Sequence, residues 1–230
     1  MSREDRAEHI LQGAIAFFAE RGFGGQTREL TERLGISNAL LFKYYPNKET
    51  LIDAIYDVMF LQRWKPEWRS VLVDRKVALL SRLQVFYLDY SQLLHDRDWA
   101  RIYLYSGLAG APIARRFGDM VIERVYRPVI GELRHEFGAV PFSKLAPTEA
   151  ELELMWSLHG SIFYIAIRKW VYHSPVPTDV EATIRRLVSD HYESARNIVG
   201  KGPAALSSSS RSVSRRNGSS PRSKGPQNIT

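Results

Sequence analysis

Residues 26–51 read QTRELTERLGISNALLFKYYPNKETL, and the reading of this stretch decides the fold. Two short helices, a tight turn and the start of a third helix are compressed into it, which leaves room only for a compact local motif. Thr27 is the expected N-cap of the first helix, its hydroxyl satisfying an unpaired backbone N–H, an effect of about 1 kcal/mol. That helix should pass through Leu30 to Leu34. Gly35 supplies the left-handed backbone that ends it, Ile36 turns back toward the core, and Ser37 caps a second helix from Asn38 to about Tyr45. Pro46 stops this helix. Asn47 then opens another, striped by Leu51, Ile52, Ile55, Tyr56 and Met59.

The pattern is that of a helix-turn-helix at about residues 27–46. At about 100° per residue, Ser37, Leu41 and Tyr45 share the buried face of the second helix, while Ala39, Leu40, Phe42 and Lys43 point away from it. An exposed face carrying Leu40 and Phe42 suits a major groove, where apolar groups meet thymine methyls and Asn38 can pair with an adenine edge. Asn38 serves equally well as a helix-start residue. The candidate DNA-binding set is Thr27, Arg28, Ser37, Asn38, Ala39, Leu40, Phe42, Lys43, Tyr44 and Lys48, the polar members outside the groove being placed for phosphates. Arg28 reads equally as a solvated helix residue.

The segment GFGGQTRELTERLGISNALLFKYYPNKETLIDAI resembles the N-terminal signature of the TetR/AcrR-type transcriptional regulators. Gly22, Phe23, Thr27, Gly35, Ile36, Ser37, Leu41, Phe42, Tyr44, Tyr45, Lys48, Glu49 and Leu51 match that signature in order and spacing. It departs at Gln26, Ala39, Leu40 and Phe42, where Phe42 lacks the hydroxyl of the more usual tyrosine. The resemblance implies a homodimer on a palindromic double-stranded operator, acting as a repressor released by a small-molecule effector. It also implies that the pocket lies among the later helices and that the last two helices form the dimer interface.

Composition sets the remaining bounds. The 230 residues, 44% hydrophobic, suffice for a small and a larger domain. No apolar run reaches the roughly 18 residues of a membrane span, and MSREDRAEHI is not a signal peptide, so a cytoplasmic protein is expected. There is no cysteine, which removes disulfides, thiolate catalysis and cysteine zinc sites. The net charge of +7 is misleading, because six unopposed basic residues lie from Lys201 onward. The first 200 residues are therefore close to neutral, and overall charge says little about DNA.

The fold class expected is all-α. Residues 1–62 should form a three-helix DNA-binding domain with its connecting fourth helix, residues 63–200 a larger helical effector-binding and dimerisation domain, and residues 201–230 a disordered basic Ser-rich tail. A first helix spans 3–21, the fourth runs from Asn47 to about Arg63 and is closed by Pro66, and residues 61–73 read as the junction with the second domain. Helices follow at about Asp74–His95, Arg97–Leu108 and Pro112–Phe137, the last kinked or broken at Pro128. Thr148-x-x-Glu151 and Thr178-x-x-Glu181 read as capping boxes that open helices over about 148–173 and 178–199. These two carry more apolar surface than one small domain requires.

For the effector site the candidates are Tyr87, Tyr90, Trp99, Arg101, Tyr103, Tyr126, Trp156, His159 and Phe163, which imply a partly apolar or aromatic ligand. Arg168 is a further polar candidate. Aromatics at helical spacing fit a core as readily as a pocket, and His159 fits a satisfied buried histidine. An enzyme is not expected. Two alternatives stand beside the main reading, a DNA-binding regulator with no ligand and a helical-bundle metal enzyme; for the latter Glu132-x-x-His135 is half of a di-metal site, but the second half has no counterpart, and there is no phosphate loop or nucleophile motif. No cofactor is expected.

Overall fold

The structure is a computed structural model that describes residues 2–199, so the tail expected at 201–230 lies outside the described residues. Among the described residues there are eleven α-helices and no strand. Helix α1 (Arg3–Arg21) begins at a capping box in which the Ser2 hydroxyl accepts the Asp5 N–H and Asp5 accepts the Ser2 N–H at 2.9 Å. Its inner face, with Ile10, Ala14, Phe17 and Phe18, packs on α2 (Thr27–Leu34) and α4 (Lys48–Tyr56), and Phe18 stacks on Phe23 at 4.9 Å.

Between α2 and α3 (Asn38–Tyr44) the turn forms as its residues require. Gly35 sits at φ +63°, a conformation that a side chain would strain. The Ile36 N–H then reaches the Thr31 carbonyl at 3.0 Å, and Ser37 accepts the Leu40 N–H at 3.1 Å. Asn47 and Thr50 form the capping box of α4. Thr27 is not a cap. It is the first residue of α2, Gln26 holds the cap position, and no side chain caps that helix. Ser37 is exposed rather than buried, because the N-cap lies outside the helix that Leu41 anchors.

Helix α4 runs on through a π turn, Asp57–Leu61, which carries Met59 and Phe60 into the core. The segment expected to be a junction contains a helix of its own, α5 (Glu67–Val73), started by Pro66 and anchored by buried Trp68 and Leu72. Pro66 thus opens a helix rather than closing one, as its fixed φ permits at a first turn. The next helix, α6 (Leu79–Leu94), begins later than expected. Asp74 accepts the Lys76 N–H at 3.1 Å, and this local bond holds residues 74–78 in a turn.

Helix α7 (Arg97–Leu108) has the expected bounds. Helices α8 (Pro112–Val121) and α9 (Arg127–Glu136) form one run joined by a second π turn, Ile122–Tyr126. Pro128 follows that turn, and the wider coil accommodates the missing N–H and the ring that would otherwise break the helix. The capping box at Thr148 and Glu151 opens α10 (Glu149–Trp170). At the start of α11 (Val180–Val199) the cap is Asp179, which accepts the Ala182 N–H at 2.8 Å, not Thr178.

One hydrophobic core runs through both halves, because Ile55, Tyr56, Met59 and Phe60 pass the N-terminal core into that of α6 to α10. Most of the wide apolar band of α10 is buried within this single chain, including Met155, Leu158, Ile162, Ile165 and Ala166. The surplus read from the sequence is therefore largely intramolecular. What α10 leaves exposed is Glu149, Glu153, Ser157, Gly160, Tyr164 and Lys169.

Candidate nucleic-acid interface and aromatic core

The α3 helix stands proud of the N-terminal half. Asn38, Ala39, Phe42 and Lys43 are exposed and Leu40 is half-buried, while Leu41 locks the helix to the core. Phe42 is 40% exposed, a large apolar side chain kept at the surface on a seven-residue helix. The Asn38 carboxamide oxygen accepts the Thr31 hydroxyl at 3.1 Å, which orients the side chain across the two helices. Tyr44 is half-buried, and Tyr45 donates to the Ala7 carbonyl at 3.2 Å, tying the end of α3 to α1.

Two concave surfaces flank α3. One is lined by Gly24, Gly25, Gln26, Thr27, Arg28, Phe42 and Lys48, where the starts of α2 and α4 meet. Helix starts present N–H groups and a partial positive charge, which suits phosphate. The other is lined by Ser2, Arg3, Arg6, Leu40, Lys43 and Tyr44. Arg3 and Arg6 were not singled out in the sequence. Their signal was available, since both lie at the start of a helix that braces the motif. The segment from residue 2 to 56 holds seven basic and eight acidic side chains, so attraction for DNA depends on this local placement.

Two candidates already have partners within the chain. The Lys48 ammonium donates to the carbonyls of Phe23 at 2.6 Å and Gly25 at 3.1 Å, so it holds the loop before α2 as well as facing the concavity. Arg28 pairs with exposed Glu32 at 2.9 Å on the outer face of α2.

Arg101, a candidate ligand anchor, has its guanidinium taken up by the fold. Its guanidinium donates to the Ala19 carbonyl at 2.5 Å, the Trp170 carbonyl at 3.0 Å and the Tyr105 hydroxyl at 3.1 Å, so it binds the ends of α1 and α10 together. Gly22, at φ +73°, lets the chain turn there with the Tyr105 ring alongside. Arg116 adds a second tie, lying 3.8 Å from the Tyr56 ring and bridging to Asp53 at 2.6 Å. Arg168 is likewise outside the core, donating to the Pro175 carbonyl at 3.2 Å.

The remaining effector candidates converge. His159 is the hub, with the rings of Tyr90, Trp156, Tyr126, Phe117 and Phe163 all centred 5.9 to 6.5 Å from its own. Trp99 stacks on Tyr103 at 5.3 Å and meets Phe163 edge-on at 5.8 Å. Burial pushes the His159 pKa down to about 4, so the ring is neutral near pH 7, and burial raises the Tyr87, Tyr90 and Tyr126 hydroxyls. Glu132, the half-motif considered for a metal, is taken up by Arg82 at 3.0 Å and Arg75 at 2.9 Å. Among the described residues no three metal-ligating side chains gather.

Residues 10–55 match the family model described as bacterial regulatory proteins, tetR family. The class A tetracycline repressor of transposon 1721 from Escherichia coli is 28% identical over 102 residues, 41% of this chain and 43% of that protein's length. A tetR-family regulator structure from Streptomyces coelicolor superposes with TM-score 0.55 and 14% identity, covering 93% of this chain and 90% of that one. A Mesorhizobium loti TetR-family structure gives 0.53 and 17%, covering 86% and 98%. These last two show the fold. Residues 10–55 thus match a tetR-family DNA-binding domain, and the fold of the described residues is that of solved TetR-family regulator structures.

Proposed function

We propose that the protein is a transcriptional repressor that binds an inverted-repeat operator as a homodimer and lets go when a small molecule enters the α6 to α10 core. The observation that carries this reading is the exposed α3 face, with apolar Phe42 held at the surface between two concavities that combine helix starts and basic side chains. Asn38, Ala39, Leu40 and Phe42 would meet base edges, and Arg3, Arg6, Thr27, Lys43, Tyr44 and Lys48 would meet phosphates. The dimer would form through the outer faces of α10 and α11, and residues 1–62 and 63–200 would act as DNA-binding and sensing units in the cytoplasm. No helix of the described residues is long and apolar enough to cross a membrane.

Selection from a random duplex library tests it. The expected motif is an inverted repeat with half-sites about one helical turn apart, roughly 34–36 Å, bound by two protomers or a multiple. A library that returns no enriched sequence would overturn the reading.

A further inference from the structure

Five buried polar atoms in the core have no partner: the hydroxyls of Tyr87, Tyr90 and Tyr126, Trp99 Nε1 and His159 Nδ1. Buried polar atoms are nearly always bonded, and each one left alone costs about 1–3 kcal/mol. Five in one aromatic cluster is a concentrated burden on the fold, and such burdens gather at functional sites. A tyrosine packed only for its ring could be phenylalanine.

The same cluster is bounded by the two π turns. Phe60, on the turn that extends α4, packs on Trp99 at 5.0 Å and Phe117 at 5.4 Å. Tyr126, on the turn between α8 and α9, packs on Trp156 at 4.9 Å. The space beside Tyr87 is a void of about 10 Å³, lined by Leu83, Val129, Leu133 and Met155 among others, enough for about one water. Anything larger must part the helices, and the π turns are where a residue's worth of slack is stored.

Resting on the effector reading above, we propose that this cluster is the effector chamber and that it takes an uncharged, largely aromatic molecule bearing carbonyl or hydroxyl oxygens. The indole N–H only donates and the phenols can donate, so the complement is a set of oxygen acceptors. A charged ligand has no free partner inside the cluster, since the sixth unpartnered buried atom, Arg168 Nε, belongs to the side chain that donates to the Pro175 carbonyl outside it. His159 is neutral, and the buried arginines Arg82 and Arg134 are already paired with Glu132 and Glu151. The charged neighbour felt by Tyr126 is the Glu153 carboxylate, which opposes an anion further. Entry would displace Phe60 and so shift α4, whose far end holds the loop before α2 through Lys48.

The test uses three probes with one ring system: 2-acetylnaphthalene, naphthalene and 2-naphthoate, titrated into the full chain with tryptophan fluorescence and Tm as readouts. The acetyl compound should bind at least tenfold more tightly than the naphthoate at pH 7.5. Tyr90→Phe and Tyr126→Phe should weaken the acetyl compound several-fold, leave naphthalene unchanged, and leave the ligand-free Tm equal or higher, because an unpaired hydroxyl is removed. Naphthoate binding as well as the ketone, no probe binding at all, or a Tm lowered by several degrees in the Phe variants would each overturn the chamber assignment. Affinity for the selected duplex, measured on the same samples, separates the two readings. Retained DNA binding with failed probes removes the chamber alone, and absent sequence preference removes the regulator.

Discussion

Arg101 shows how a residue's meaning depends on what the fold places beside it. In sequence it is a cation among aromatics, and in the structure it closes the carbonyl ends of α1 and α10. Arg101→Ala should lower unfolding stability on the order of 2 kcal/mol, the scale of charge-assisted bonds to otherwise unpaired carbonyls. Arg101→Lys should not restore it, since an ammonium cannot span the fork. Urea midpoints that match wild type would remove the clamp. Lys43 is exposed beside Arg3 and Arg6. Lys43→Ala should weaken DNA binding uniformly and reduce the salt slope by about 1, read from affinities at several salt concentrations.

His159 gives a pH dependence with a definite sign. Its pKa falls from 6.5 to about 4 on folding, so the folded state resists a proton that the unfolded chain accepts. The stability from its neutral form is complete above pH 6.5 and is lost as pH falls toward 4. The loss is on the order of 3 kcal/mol over that window. His95, also lowered by burial, adds to the same slope, whereas Glu132 and Glu151 act only at the acid end. Burial opposes ionisation of both glutamates, but their arginine partners outweigh it. His159→Leu should flatten the unfolding free energy between pH 6.5 and 5, and an unaltered slope would contradict the neutral buried ring. Single residues were the least legible level, because a cap such as Thr27 or Thr178 is decided by a one-residue shift that pattern alone does not resolve.

Among elements, the helices and turn of the motif were legible, the cap role of Thr27 and the burial of Ser37 aside, since its signals are local: a left-handed glycine, a serine cap and a proline stop within a dozen residues. Helix α5 and the two π turns were not. Trp68 and Leu72 anchor α5 where it packs on α6, the next helix, and on α9, which lies far away in sequence. The π turns leave no mark on a 3.6-residue period beyond a one-residue slip. Gly160 is the informative exposed element position. A Cβ there would meet nothing within 4 Å, yet glycine inside a helix is destabilising by roughly 0.5–1 kcal/mol relative to alanine. In the proposed dimer, close approach of the same helix from a second copy would account for it. Gly160→Arg should leave the helix content intact and convert the dimer to monomer in sedimentation. A dimer of unchanged stability would place the interface elsewhere.

At the scale of the whole molecule, the continuous core makes recognition and sensing one mechanical problem. Helix α4 contributes Leu51 and Ile55 to the N-terminal core and, through its π turn, Phe60 to the aromatic one. In the proposed dimer, a ligand that prefers one setting of α4 would shift the spacing of the two α3 helices, by no more than its differential affinity for the two forms. The direct measurement of the central claim is fluorescence anisotropy of the selected duplex against a scrambled duplex of equal length across a range of salt. The selected duplex should be bound at least about a thousandfold more tightly, with two protomers or a multiple per site and a steep salt dependence for both. Equal affinity for the two duplexes would contradict it.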